Sequence, residues 1–145
     1  LRLCDGNKIN TDDVLNWFVD IIKKHKFLPL YIGYDRWSAV DLVNNMKDLI
    51  GEKSMYEVKQ YAKVLSNPLK MLKSDFKAGN IVYNNNPITK WCLTNLGVKT
   101  DINGNIQPVK AVSVNARIDG AMALLDAYTA YSHHQEEYRK ANGIQ

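Results

Sequence analysis

Apolar side chains recur every three or four residues in several stretches of the chain, which is the spacing of one helix face. A first helix is predicted over 11–26, with Thr11 as its N-cap. Acidic residues lie in its first turn and lysines in its last, as the helix dipole favours. A second helix is predicted to begin at Ser38 and to end at Gly51. The apolar stripes expected to face the core in these two helices are Val14, Leu15, Phe18, Ile21, Ile22, Val40, Val43, Met46 and Leu49 or Ile50.

Two Asn-Pro pairs predict further helix starts, because proline suits the first turn of a helix. The helix that begins at Asn67-Pro68 is predicted to end at Gly79, and a short helix follows Asn86-Pro87. A long last helix is predicted over 114–140, with Ser113 as its cap. Its expected inward stripe is Ile118, Met122, Leu125 and Tyr128, flanked by Ala121 and Leu124.

Extended segments are predicted between these helices, at 29–34 and 55–60. Asn103-Gly104 separates two more extended runs and predicts a β-hairpin. Helices that alternate with strands indicate an α/β fold made of layers. Since no repeat or Gly/Ser linker occurs, we interpret residues 1–145 as a single domain. A start at Leu1 suggests a processed product or a fragment of a longer chain.

The composition is that of a globular protein, with 46% hydrophobic and 23% charged residues. No run of eighteen apolar residues occurs, so we expect no membrane-spanning segment. The two cysteines belong to no Cys/His cluster, which argues against zinc. Residues 59–77 contain five lysines against Asp75 alone and so hold the whole net charge of +4. Such a stripe suits phosphate groups, although a solvated helix face is the commoner explanation when it is taken by itself.

Asp35 follows the predicted strand in "YIGYDRWSAV" and precedes a helix. Binding sites of open α/β sheets form at the carboxyl ends of strands, which makes this carboxylate a candidate site residue. The structural alternative is a cap for the helix that follows, and the two are equally supported by this stretch alone.

Asp119 in "NARIDGAMALLDA" lies beside the inward stripe of the last helix, near several small residues. A helix with so little bulk can pack closely on a sheet and carry a carboxylate to its edge, although a first-turn acid that satisfies the helix dipole is slightly favoured for Asp119 in isolation. Taken together, Asp35 and Asp119 suit Mg²⁺ or Mn²⁺, because these ions prefer charged oxygen ligands. Two-metal hydrolysis of phosphodiesters needs several such ligands.

Four segments, "YIGYDRW", "NPITKWCLTN", "VKTDINGNIQP" and "ARIDGAMALLDA", occur in an order that resembles the C-terminal nuclease domain of the tailed-phage terminase large subunit. The resemblance runs from about residue 7 to 130. It implies an RNase H-like mixed sheet flanked by helices, with a late β-hairpin and a long C-terminal helix. It also implies metal-dependent endonucleolytic cleavage of concatemeric double-stranded DNA during genome packaging.

The resemblance carries over to individual positions of this chain. Asp35 matches the family's strand-end metal carboxylate and Asp119 the metal carboxylate on its last helix, so both are expected to be catalytic. The hairpin at Asn103 and Gly104 resembles a projection thought to touch DNA. Three basic residues lie where such a site would meet phosphates, with plain surface charge as the alternative for each: Lys99, Lys110 and Arg117.

The family's first metal carboxylate lies on an opening strand that no segment before Asp35 resembles. We therefore expect an incomplete nuclease domain that is a poor enzyme by itself and whose metal site needs an upstream aspartate. No GxxxxGK[ST] loop occurs, so ATP hydrolysis is not expected of this chain. For the intact protein, the resemblance implies an N-terminal ATPase domain and, as partners, a terminase small subunit and a portal ring. It implies no contact with a membrane. The expected location is the host cytoplasm and, transiently, the procapsid portal.

Two further residues have two readings each. Asp126 lies two turns after Asp119 and is a possible auxiliary metal ligand, although such an acid more often supports a ligand or lies on the surface. Trp37 could line the cleft or stack on DNA, with packing favoured, and packing is also the expectation for Trp17 and Trp91. Two rival functions stay open: another RNase H-like metal nuclease of the resolvase or integrase type, and a non-catalytic module that grips DNA or docks on the portal.

Overall fold

A computed structural model of the chain describes residues 6–7, 9–37, 40–111, 113 and 115–143. Strands β1 and β2 form a parallel pair and β3 and β4 an antiparallel hairpin. Helices thus alternate with small sheets, as the sequence predicted. The elements are α1 (Thr11–His25), β1 (Ile32–Tyr34), α2 (Val40–Ile50), β2 (Met55–Glu57), α3 (Ala62–Ala78), α4 (Pro87–Thr94), β3 (Leu96–Thr100), β4 (Ile106–Lys110), α5 (Asp119–His133) and α6 (Gln135–Ala141).

The core lies where α3 and α5 pack on each other. Helix α5 also crosses β1, and the hairpin strand β4 packs on α3. This arrangement places the end of β1 against the middle of α5. The buried cluster consists of Val58, Leu65, Leu69, Leu72, Leu125 and Tyr128.

The local signals at helix ends are mostly confirmed. The Asn86 side chain accepts hydrogen bonds from the backbone N–H groups of Ile88 and Thr89 and so caps α4. Gly79 ends α3 in the left-handed conformation, with φ of 75°. The cap of α1 is Asn10 and not Thr11, because the Asn10 side chain accepts from the N–H of Asp12. Gly51 follows α2 directly, whereas Ser38 lies outside the described residues.

The predicted start of α3 at Asn67-Pro68 is wrong, since α3 begins at Ala62 and contains Pro68. Proline cannot donate to the carbonyl of Val64 and normally disrupts a helix interior. The turn before it is held by tertiary contacts instead. Leu65 and Ser66 are both buried there, and the Ser66 hydroxyl accepts the backbone N–H of Ile106 in the hairpin.

The predicted helix over 114–140 is two helices, because α5 begins at Asp119 and is separated from α6 at His134. The hydroxyl of Ser113, six residues before the helix begins, accepts a hydrogen bond from the backbone N–H of Asn115 and so does not cap α5. Of the predicted inward stripe, Leu125 and Tyr128 are buried, as is flanking Ala121. Met122 and Leu124 are half-buried against the core, and half-buried Ile118 precedes the helix.

Burial is lower at the start of the chain than its pattern predicts. No residue of α1 is buried, and in α2 only Val43, Met46 and Ile50 are. The expectation that Trp17 and Trp91 pack in the core is wrong, because their side chains are 41% and 51% exposed. None of the described helices is both long enough and apolar enough to cross a membrane.

Candidate functional site

Asp35 lies directly after β1, at the carboxyl end of the parallel pair. The hydrogen bonding between the two parallel segments extends to this point, because the N–H of Val58 donates to the carbonyl of Tyr34 at 2.8 Å. One carboxylate oxygen of half-buried Asp35 accepts the N–H of Trp37 at 3.2 Å. This bond closes an Asx-turn at the end of β1.

Asp126 is the buried acid of the site, with 6% of its surface exposed. Its Oδ1 accepts a hydrogen bond from Gln60 Nε2 at 2.9 Å, and the same amide donates to the carbonyl of Val58 at 3.0 Å. The pKa of Asp126 is raised from 3.8 to about 6: burial raises it most, the Gln60 hydrogen bond lowers it in part, and the charge of Asp35 adds a smaller rise. Asp35 and Asp126 are therefore close enough to repel each other.

A glycine allows this approach of α5 to β1. A Cβ atom built at Gly33 would lie 2.1 Å from the backbone oxygen of Asp126 and 2.6 Å from its carbonyl carbon. No larger residue fits there without separating strand and helix. The absence of a side chain at Gly33 thus brings the backbone that carries Asp126 down onto the strand that ends at Asp35.

Asp119 is the first residue of α5 and is exposed. It precedes Asp126 by seven residues, so it lies on the same helix face about 10 Å away along the axis. The charge of Asp35 acts on the pKa of Asp126. Sequence reasoning ranked these two acids in the opposite order, and the expected metal-binding roles of both stay predictions.

The residues present fit a hard divalent cation in donor type. The carboxylates of Asp35 and Asp126 and the amide of Gln60 supply oxygen atoms. No Lys or Arg of the described residues forms an ion pair with Asp126, so its buried charge has no protein counter-ion there. Three or more acidic, His or Cys side chains do not converge at any point in the described part of the chain. A metal ion bound at this pair would therefore need further ligands.

The hairpin carries the predicted DNA-contacting residues in an ordered loop. Asp101 accepts the N–H groups of Asn103 and Asn105 at 2.9 and 2.8 Å and also the side-chain amide of Asn105 at 2.9 Å. Gly104 adopts φ of 77°, which a glycine tolerates without strain. Asn103 and Gly104 are both exposed at the tip.

The remaining predicted contact residues are also on the surface. Lys99 and Lys110 are exposed on the two hairpin strands, and Trp37 is 80% exposed, against the favoured expectation of packing. Arg117 is exposed, and its carbonyl accepts the side-chain amide of Asn95, which ties the segment before α5 to the base of the hairpin. Lys99, Arg117 and Trp37 are thus accessible to a ligand from solvent.

Gln60 is the residue that sequence reasoning missed. It is the last residue of the predicted strand 55–60, whereas Asp35 directly follows the predicted strand 29–34, and sites of α/β sheets form at both such positions. Its place at the end of a predicted strand was visible in the sequence, but an uncharged amide is a weaker indication of a metal ligand than a carboxylate.

Comparisons with known proteins identify a family, a solved structure of similar fold and a partial relative. The family model described as "Terminase large subunit, endonuclease domain" matches residues 2–135. Over 89% of the chain, the fold superposes on the crystal structure of the HK97 bacteriophage large terminase with a TM-score of 0.75 and 22% identity, which confirms the predicted fold class. Protein YmfN of Escherichia coli (strain K12) is 41% identical over 66 residues, or 43% of the chain. The chain spans 26% of the HK97 protein and 14% of YmfN.

Proposed function

Because the chain belongs to the terminase large subunit endonuclease domain family, we propose that it cuts double-stranded DNA during phage genome packaging, using divalent cations held by Asp35, Asp126 and Asp119. The family model confirms the predicted family, and the nuclease activity of this chain is proposed from it. The metal dependence, the ligands and the concatemeric substrate are the proposed part.

The observation that carries the proposal is the pairing of Asp35 with Asp126. A buried carboxylate normally acquires a cationic neighbour or a proton, because an isolated charge is costly in a low dielectric. Asp126 instead accepts a hydrogen bond from a neutral amide and is raised in pKa by the charge of Asp35, which follows the strand that its own backbone contacts at Gly33. A divalent cation between the two acids would remove both the desolvation cost and the repulsion.

In this mechanism Asp35 and Asp126 hold the cation and Gln60 orients Asp126. Bound Mg²⁺ or Mn²⁺ supplies charge stabilisation for phosphodiester hydrolysis and a more acidic water. Asp119 contributes from the start of α5, on the same face as Asp126. The exposed hairpin residues Asn103 and Gly104 position the duplex, together with Lys99, Lys110, Arg117 and Trp37, through contacts that read no sequence.

The partners of the whole protein follow from the family and belong to the same proposal. Terminases act on DNA in phage packaging. Because the chain has no GxxxxGK[ST] loop for ATP hydrolysis, we assign movement of DNA to an ATPase domain in the intact protein. A terminase small subunit and the portal ring complete the proposed assembly, which acts in the host cytoplasm and at the procapsid. An upstream aspartate completes the proposed ligand set.

Metal titration of single variants tests this function. Mn²⁺ binding to the chain is measured by calorimetry, and relaxation of supercoiled plasmid is measured with the longest available form of the protein. Asp35→Asn and Asp126→Asn should each weaken Mn²⁺ binding tenfold or more and abolish cleavage, and Asp119→Asn should abolish cleavage. Asp12→Asn is the control, because Asp12 is likewise an exposed acid in the first turn of a helix.

Unchanged Mn²⁺ binding in both Asp35→Asn and Asp126→Asn would overturn the proposal. A second candidate function would then apply, in which the domain grips DNA without cutting it. The specific observation in its favour is that only two acids are brought together in the described residues. That function predicts DNA binding that EDTA, Mn²⁺ and the aspartate substitutions leave unchanged.

A further inference from the structure

Four lysines of α3 share one face of the helix. Lys63, Lys70, Lys73 and Lys77 are all exposed. At 100° per residue they fall within a sector of about 80°, and the 1.5 Å rise per residue spreads them over about 21 Å. We refer to these four residues as the lysine face.

The acid of α3 lies away from the lysine face. Asp75 accepts a hydrogen bond from the Tyr128 hydroxyl at 2.5 Å and another from the Asn80 side chain at 3.1 Å, on the side where α5 packs. These contacts lower the pKa of Asp75, the Tyr128 bond most, so this acid stays ionised but engaged elsewhere. Among the described residues, no acidic side chain forms an ion pair with any lysine of the face. Four positive charges thus lie along the helix without compensation.

The lysine face borders the hairpin at its tip end. Ser66 accepts the N–H of Ile106, the first residue of β4, at 3.1 Å. Ser66 is three residues from Lys63 and four from Lys70, so it lies within one helical turn of each. Asn103 and Gly104 belong to the loop that this same end of the hairpin carries. The tip end of the hairpin therefore lies beside Lys63 and Lys70, toward the start of the lysine face.

We propose that the lysine face docks along the phosphate backbone of duplex DNA beside the hairpin tip. Duplex DNA carries one negative charge per roughly 1.7 Å of its axis, so a 21 Å row of cations meets several phosphates at once. Lysines on a helix exterior supply point charges and read no base edges. The choice of DNA as the polyanion rests on the proposed function, whereas the location of the contact rests on α3 itself.

Binding of a fluorescent 30-base-pair duplex, followed by anisotropy in EDTA over a range of salt concentrations, tests the proposal without interference from cleavage. The triple variant Lys63→Gln, Lys70→Gln, Lys77→Gln removes three charges from the lysine face. The control triple Lys23→Gln, Lys24→Gln, Lys26→Gln removes three exposed charges from the end of α1. Both variants change the net charge from +4 to +1.

The lysine-face triple should weaken binding at least tenfold at low salt and reduce the slope of log K against log salt by about 2.7, or about 0.9 per lost phosphate contact. The α1 triple should stay within about threefold of the unmodified chain, and two duplexes of unrelated sequence should bind equally. Lys70→Glu is a single-site variant for the case in which the triple is less stable by circular dichroism, and it should also lower both affinity and slope.

Equal losses in the two triples would overturn the proposal, because the effect would then be net charge alone. Unchanged binding in the lysine-face variants, or no duplex binding by the unmodified chain, would overturn it as well. The nuclease proposal fails separately: Asp35→Asn and Asp126→Asn should bind the duplex normally in EDTA. A protein that binds through α3 but shows no metal-dependent cleavage would retain the docking surface and lose the nuclease.

Discussion

Gly33 on β1 and Asp126 on α5 are in backbone contact, so close that a Cβ atom at Gly33 would lie 2.1 Å from the Asp126 carbonyl oxygen. The strand that ends at Asp35 and the helix that carries Asp126 meet at this point. The carboxylate pair is consequently a product of backbone packing, and changes that separate strand and helix should impair the site without altering either acid.

Gly33→Ala tests this dependence. The added methyl group meets backbone atoms that cannot rotate away, so overpacking should destabilise the fold by about 3 kcal/mol and lower Mn²⁺ affinity. Gly120→Ala is the control, because its Cβ would meet the Cys92 side chain at 3.1 Å and not a backbone. Urea unfolding and Mn²⁺ calorimetry measure both effects. A Gly33→Ala variant as stable as Gly120→Ala would contradict the packing argument.

Asp126→Asn should make the metal-free protein more stable at neutral pH. The folded pKa of Asp126, about 6, exceeds its ordinary value of 3.8. Asp126 therefore contributes most stability below pH 4, where it is protonated in both states, and this contribution is lost as the pH rises from 4 to 6. Asn stays neutral and can still accept from Gln60, so it avoids this loss.

The gain from Asp126→Asn should grow between pH 4 and 6 to about 2–3 kcal/mol and then level off. Urea unfolding at pH 4, 5, 6 and 7.5 measures it, with the exposed acid Asp48→Asn as a variant that should show no such growth. Added Mn²⁺ should stabilise the unmodified chain and not Asp126→Asn. A gain that is constant with pH would mean that Asp126 is not desolvated.

The parts of the fold that depend on neighbouring residues were predictable from the sequence. Asn86 caps α4, Gly79 ends α3 and Asn103-Gly104 lies in a hairpin loop, since each signal acts within a few residues. The start of α3 was not predictable. Its first turn depends on burial of Leu65 and on a hydrogen bond between Ser66 and a residue forty positions away, which outweigh the local preference of Pro68.

The candidate site divides in the same way. Asp35 was found because the end of a strand is visible in the sequence. The sequence could not show that Asp126, and not Asp119, is the buried acid near Asp35. Helical periodicity places both acids on one face, and only the close contact at Gly33 distinguishes them. Gln60 acquires its role from the same packing.

Ser66→Ala should loosen the hairpin. Ser66 is 5% exposed, and its hydroxyl is the acceptor for the Ile106 N–H, so the substitution leaves a partly buried donor without that partner. We expect a loss of about 1–2 kcal/mol in the free energy of unfolding and faster hydrogen exchange at Ile106. Ser74→Ala, at an exposed position of the same helix, is the control. Equal exchange rates in the two variants would show that the bond does not hold the hairpin on α3.

Asp101→Ala should have two opposing effects on DNA binding. Removing a negative charge beside a polyanion should strengthen binding. Asp48→Ala, on α2, is the control for this charge effect and should strengthen binding slightly or not at all. Asp101, however, accepts three hydrogen bonds that order the loop holding Asn103 and Gly104. Its pKa is lowered, chiefly by the Asn105 side chain, so the ionised form that accepts these bonds persists until the pH falls below the ordinary range of Asp.

If the hairpin tip contacts DNA, Asp101→Ala should weaken binding about fivefold, because reordering a loop on binding costs roughly 1 kcal/mol. Asp101→Asn, which loses the charge but keeps one acceptor oxygen, should fall between Asp101→Ala and the unmodified chain. Anisotropy with the 30-base-pair duplex in EDTA gives the answer directly. Tighter binding by Asp101→Ala would mean that charge governs the tip and that its ordered conformation has no part in contacting DNA.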